Sequence, residues 1–259
     1  MKFPDQIGNT VSLSSSPKRI ISLVPSQTEL LFDLGLDEDI VGITRYCVHP
    51  KEKCARKPRI GGTKNFDFNL IDKLKPELIL GNREENYKEG IERLLSKYPV
   101  WMSDIITLED AYDMIVLVGE MVGRKAKADE IVSEIKSKMD GLENKAGIKV
   151  AYFMWRKPYM VAGGDTFINE MIKKCGLVNV FENIERYPEV TLEQLEEAKP
   201  DIILLSSEPF PFKEKHFDEF REKSPSTKIM LVDGEMFSWY GSRLIKAARY
   251  FRELRKDLL

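Results

Sequence analysis

The chain carries few groups suited to making or breaking bonds. Its 259 residues include only two histidines, His49 and His216, and three cysteines, Cys47, Cys54 and Cys175. No Gly-x-Ser-x-Gly elbow presents a serine, no glycine loop with its lysine cradles phosphate, and no His/Cys cluster has ligand spacing. His49 precedes Pro50 in a loop and reads as a turn residue rather than a base. The odd cysteine count, with no metal-type spacing, reads as reduced thiols, a Cys47–Cys54 bridge being the less favoured alternative. A bare transition ion would call for several histidines, so its direct coordination is disfavoured. Aromatic surface is what the chain does offer. Phe237, Trp239 and Tyr240 cluster beside Ser238 and Gly241, Tyr187 adjoins Pro188, and Trp155-Arg156 follows an apolar run. Rigid aromatic faces with a few polar groups suit the binding of a small molecule.

These residues need elements to hold them, and a repeat shows which. Leu74-Lys75-Pro76-Glu77-Leu78-Ile79-Leu80 and Ala198-Lys199-Pro200-Asp201-Ile202-Ile203-Leu204 each follow a polar, leucine-spaced segment. Each reads as a helix ended at proline and followed by a buried strand. A second echo precedes each copy: Leu34-Gly35-Leu36 and Cys175-Gly176-Leu177 close helical runs with a glycine suited to a left-handed cap. Pro25-Ser26 starts a helix, and Ser26 with Glu29 matches a capping box. Strands are expected at Arg19 to Val24, Ile40 to Ile43 and Val100 to Met102, and a helix at Tyr87 to Lys97. Alternating strands and helices of these lengths argue for parallel sheets covered on both faces. Lys125 to Asn144 reads as one helix with an apolar stripe of Ile131, Ile135, Met139 and Leu142. The expected organisation is an N-terminal α/β lobe at 1–107, connecting helices at 108–146 and a C-terminal α/β lobe at 147–259.

Composition excludes several classes. With 42% hydrophobic residues the chain can fill two cores. A net charge of −2 and interspersed signs leave no basic footprint for nucleic acid. No apolar run approaches the ~18 residues of a membrane helix. The opening Met1-Lys2-Phe3-Pro4-Asp5-Gln6 lacks the apolar core of a secretion signal, which fits either a cytoplasmic protein or a mature one given a new methionine.

The order of Arg19 to Leu30, Gly61-Gly62-Thr63-Lys64, Leu74 to Ile79, Ala162-Gly163-Gly164-Asp165-Thr166 and Tyr187-Pro188-Glu189-Val190 resembles the helical-backbone substrate-binding proteins of ABC importers. That group includes vitamin B12, ferric siderophore and haem binders. The resemblance covers nearly the whole chain and implies two Rossmann-like lobes joined by one long backbone helix, with the ligand in the interlobe cleft. It implies a non-enzymatic, extracytoplasmic, monomeric protein that captures a corrinoid (cobalamin-like) or related metal chelate for import, without a resident cofactor. Carried over, the ligand-binding residues are Tyr46, Lys64, Asn82 and Arg83 from the first lobe. From the second come Trp155, Arg156, Tyr159, Met160, Tyr187, Glu208, Phe210, Glu235, Phe237, Trp239 and Tyr240.

Two departures from the family pattern stand out. The exposed acids that meet permease arginines are replaced by Asn69 and Ser238, leaving Asp67, Asp72 or Glu235 to substitute. Lys64 and Asn82 stand where the B12 binder has tryptophans, which favours an anionic metal chelate. Competing readings are a ferric siderophore or haem binder, a cytosolic scavenger or sensor of the same fold, and a chelatase-like enzyme using His216, Glu208 and Glu235.

Overall fold

The two Lys-Pro steps fold alike. A computed structural model describes residues 1–142 and 147–258 of the chain. In it Lys75 (φ 46°) and Lys199 (φ 48°) both take the left-handed conformation at a helix end. The αR conformation that would prolong each helix is disfavoured before proline, and each chain then enters a fully buried five-residue strand.

Residues divide into two compact units: Met1–Ile135 with Tyr240–Ile245, and Lys136–Trp239 with Lys246–Leu259. The expected boundaries therefore shift. The connecting segment 108–146 is not a separate body, and a six-residue stretch late in the chain belongs with the first unit.

Unit 1 opens with a hairpin, β1 (Lys2–Pro4) and β2 (Thr10–Ser12). There follow β3 (Ile20–Ser22), α1 (Pro25–Asp33), β4 (Ile40–Ile43), α2 (Lys51–Cys54), β5 (Gly61–Gly62) and β6 (Asn65–Phe66). Next come α3 (Phe68–Leu74), β7 (Leu78–Asn82), α4 (Lys88–Leu95), β8 (Val100–Ser103) and α5 (Leu108–Met121). Its main sheet has the order β4-β3-β7-β8 with every pair parallel. Ile21, Ile79, Val100 and Met102 of these strands, with Leu23 just past β3, bury against Ile71, Ile91 and Leu94 of the covering helices. The α1 start differs from expectation. Pro25 fills the first helical turn, Val24 is the cap residue and no side chain caps, because proline fixes a helical φ where its missing N–H costs nothing. At the α1 C-terminus Gly35 (φ +77°) completes a Schellman motif, with Leu36 N–H to Leu31 O at 3.1 Å and Gly35 N–H to Phe32 O at 3.0 Å.

Helix α5 starts in a Thr107/Asp110 capping box, and α6 (Lys125–Met139) follows the break at Gly123. Ile131, Ile135, Met139 and Leu142 are all buried, as the stripe requires. The helix ends five residues before the expected Asn144, which lies outside the described residues.

Unit 2 comprises β9 (Lys149–Trp155), β10 (Met160–Val161), α7 (Phe167–Lys174), β11 (Val178–Asn179), α8 (Leu192–Ala198) and β12 (Ile202–Ser206). It continues through a 3-10 turn at Glu214–His216, α9 (Phe217–Arg221), β13 (Lys228–Val232), α10 (Glu235–Ser238) and α11 (Leu244–Leu258), whose first two residues fall in unit 1. Strands β11, β12 and β13 run parallel to their neighbours, while β10 is antiparallel to β9. Cys175-Gly176-Leu177 closes α7 with the same Schellman pair as α1, Leu177 N–H to Ile172 O and Gly176 N–H to Lys173 O. All three cysteines are free and buried. Among the described residues no helix is long and apolar enough to cross a membrane.

Candidate functional site

In an open parallel sheet the loops beyond the strand C-termini are free to hold a ligand. In unit 1 these loops follow β3, β4, β7 and β8. Tyr46, just past β4, is 54% exposed, and the Arg45 guanidinium sits 5.9 Å from its ring centroid. The Lys64 ammonium donates to Glu84 O at 2.8 Å. Arg83 is engaged too, pairing with Asp104 at 2.7 Å. Asn82 is a correction, since it is buried. Its amide donates to Ser103 while its Oδ1 accepts the N–H groups of Glu84 and Glu85, so it shapes the loop after β7. Tyr240 is likewise buried and donates to Glu85 at 3.2 Å.

In unit 2 the strand ends converge on a different chemistry. Trp155, at the end of β9, is 39% exposed and meets Phe210 edge-on at 6.0 Å. Arg156 grips Glu219 with two nitrogens, at 2.9 and 2.6 Å, and the Tyr159 hydroxyl donates to the same carboxylate. The arginine hydrogen bonds pull the Glu219 carboxyl down to about 2. Arg156 and the hydroxyl end of Tyr159 are thus committed to Glu219, and the Tyr159 ring packs on Phe153 and Phe220. Met160 is half-buried in β10, and half-buried Tyr187 lies under the Arg186 guanidinium at 5.6 Å. Phe237 is fully buried among Tyr152, Tyr250 and Phe251 and belongs to the core. Trp239 is buried as well, so all three aromatics of the exposed loop expected there, Phe237, Trp239 and Tyr240, are enclosed.

An open cavity of about 530 Å³ lies beyond β12 and β13, lined by Ser207, Glu208, Leu231, Val232, Asp233 and Glu235. Glu208 and Glu235 were legible in the sequence; Asp233 was not singled out, although an Asp-Gly step after an apolar strand marks such a loop. Burial pushes the Glu208 carboxyl up from its ordinary value, aided by Glu235 and Asp233 and opposed by hydrogen bonds from Ser238 and Trp239. Ser238, the position expected to replace a docking acid, donates its hydroxyl to Glu208 Oε1 at 2.6 Å. Of the substitute acids, Asp72 is engaged by Lys97 and Tyr98, and Asp67 caps α3. His216 is buried against Phe210 and Phe212, and its Nδ1 accepts the Lys213 N–H at 2.9 Å, so it is a packing and turn residue.

The comparisons with known proteins agree with this architecture. A vitamin B12-binding protein from Photorhabdus laumondii is 28% identical over 253 residues, covering 95% of this chain and 90% of that protein. The structure of a possible iron-binding (periplasmic solute-binding) protein from Staphylococcus epidermidis superposes with a TM-score of 0.79 at 27% identity, covering 94% of this chain and 99% of that one. The periplasmic haem-binding protein HutB of Vibrio cholerae shares the fold at a TM-score of 0.76 and 20% identity, covering 92% and 98% of the two chains. These relatives are substrate-binding proteins rather than enzymes. With a family model for periplasmic binding proteins matching residues 20–227, the chain belongs to the periplasmic binding protein family.

Proposed function

We propose that this protein captures a corrinoid or related metal chelate and delivers it to an ABC importer outside the cytoplasm, holding it by contacts alone and without a resident cofactor. The observation that carries the reading is the carboxyl-end face of unit 2. There Trp155 and Phe210 present aromatic surface at the same end of the sheet as the 530 Å³ cavity. Bulky, flat or macrocyclic ligands are held by rigid aromatic area with a few fixed polar groups. Tyr46, exposed beyond β4 of unit 1, supplies surface of the same kind. The sequence relatives support the class, since one of them is a vitamin B12-binding protein at 28% identity.

Haem and ferric siderophores are competing cargoes within the same class. Titration of the purified protein with cyanocobalamin, haemin and a ferric siderophore, read by the fluorescence of Trp101, Trp155 and Trp239 and corrected for ligand absorbance, tests the reading. Saturable quenching by one of them at unit stoichiometry is expected. Absence of saturation with all three would overturn it.

A further inference from the structure

Glu208 is held at one carboxylate oxygen and open at the other. Its Oε1 accepts the Ser238 hydroxyl at 2.6 Å and the Trp239 indole N–H at 3.1 Å. Its main chain is fixed as well: the Glu208 N–H donates to Ser206 Oγ at 3.2 Å, and that hydroxyl in turn donates to Glu208 O at 2.6 Å. Gly234 makes the arrangement fit, because a Cβ there would come within 2.6 Å of Glu208 Cγ and 2.3 Å of Ser206 Oγ. Oε2 has no hydrogen-bond partner among the described residues, and Glu208 lines the cavity. A carboxylate clamped in this way is an acceptor oriented before any ligand arrives, so little ordering cost remains to be met on binding.

The charges around it point the same way. Asp233 and Glu235 line the same cavity, so a ligand rimmed with carboxylates would meet like charge. The cations that the sequence offered for an anionic chelate are engaged elsewhere: Lys64 by the Glu84 carbonyl, Arg83 by Asp104 and Arg156 by Glu219. A ligand N–H meeting Oε2 makes a charge-assisted bond, roughly twice as strong as a neutral one.

We infer that Glu208 is a specificity-determining residue whose open oxygen selects chelates carrying peripheral N–H donors, carboxamide or ammonium, over chelates rimmed with carboxylates. This rests on the reading that the protein binds metal chelates, and it reverses the preference for an anionic chelate drawn from Lys64 and Asn82.

The test compares wild type, Glu208→Ala, Glu208→Gln and Ser238→Ala with three probes: cyanocobalamin for carboxamides, ferrioxamine B for a pendant ammonium and haemin for carboxylates. Wild type is expected to bind a donor-bearing probe more tightly than haemin. Glu208→Ala should weaken that probe at least tenfold while leaving haemin unchanged or tighter, and Ser238→Ala, which unclamps the carboxylate, should weaken it severalfold. Glu208→Gln distinguishes the donor. It should recover most of the affinity for a carboxamide, because it keeps an acceptor, and little for an ammonium, because the charge is gone. If Glu208→Ala does not fold, the Gln and Ser238 variants carry the comparison. Equal effects on all probes, or none on any, would overturn the inference while leaving the binding reading intact. Failure of wild type to bind any probe would overturn the binding reading itself and this inference with it.

Discussion

Arg243 and Glu29 form a two-pronged ion pair, Nε to Oε2 at 2.7 Å and Nη2 to Oε1 at 3.0 Å, with both side chains almost wholly removed from water. It ties the short Tyr240–Ile245 segment to α1 within unit 1, beside a Ser242 hydroxyl that donates to Asp33. Removing one partner strands the other as an uncompensated buried charge, a loss of ~3–5 kcal/mol, whereas replacing both with apolar residues of similar volume is often close to neutral. Urea unfolding of Glu29→Leu, Arg243→Met and the double variant should therefore show the double variant more stable than either single one. A double variant that loses the sum of the two would show that the pair itself, rather than the stranded charge, sets the energy.

The Arg156–Glu219 pair gives unit 2 an acid sensitivity. The Glu219 carboxyl titrates at about 2 in the folded protein, chiefly through the arginine hydrogen bonds and despite some desolvation. An unfolded glutamate titrates near ~4.3. With the folded value depressed, the stabilisation is fully present above the unfolded value and is lost as pH falls through the folded one. Urea midpoints of wild type and Glu219→Gln should differ most at neutral pH and converge between about pH 4 and pH 2. A gap that stays constant down to pH 2 would assign the effect to packing instead.

What the sequence made legible was local. The proline steps and the two glycine caps each act through atoms a few residues apart, so their types and spacing were enough to place them. Glu29 shows where such reading stops. Its spacing from Ser26 matches a capping box, yet its partner Arg243 lies 214 positions away, and no local pattern encodes that. The site divides along the same line. Exposed Tyr46 and Trp155 were readable as aromatics at or just past strand ends, but the burial of Phe237 and Trp239 depends on how α10 and α11 pack. The commitment of Lys64, Arg83 and Arg156 to internal partners was equally hidden, because a cation's availability is a property of its neighbours in space.

The glycine caps carry a measurable conformational energy. Gly35 stands at φ +77° with open space where a Cβ would project, so alanine there meets no clash and loses only the left-handed penalty of ~1–2 kcal/mol. Asparagine tolerates that conformation better. Thermal unfolding should rank wild type above Gly35→Asn and that above Gly35→Ala. An alanine variant as stable as wild type would mean that the α1 terminus rearranges.

Trp155 and Phe237 separate binding from folding within one unit. Trp155 is 39% exposed and leans on a half-buried Phe210, whereas Phe237 has no exposure and touches three other rings. Truncating an enclosed aromatic leaves a cavity and costs ~3–5 kcal/mol of stability, while truncating a surface aromatic that anchors a ligand costs ~2–4 kcal/mol of affinity. Phe237→Ala should therefore lower the urea midpoint steeply, with the remaining folded protein binding its chelate normally. Trp155→Ala should leave the midpoint nearly unchanged and weaken binding thirtyfold or more, since each 1.4 kcal/mol is a factor of about ten. Trp155→Phe keeps an aromatic face and should fall between the two in affinity. If Trp155→Ala binds cyanocobalamin, haemin and ferric siderophore as wild type does, the ligand face of unit 2 does not include the end of β9. Tyr46 of unit 1 would then be the next residue to truncate.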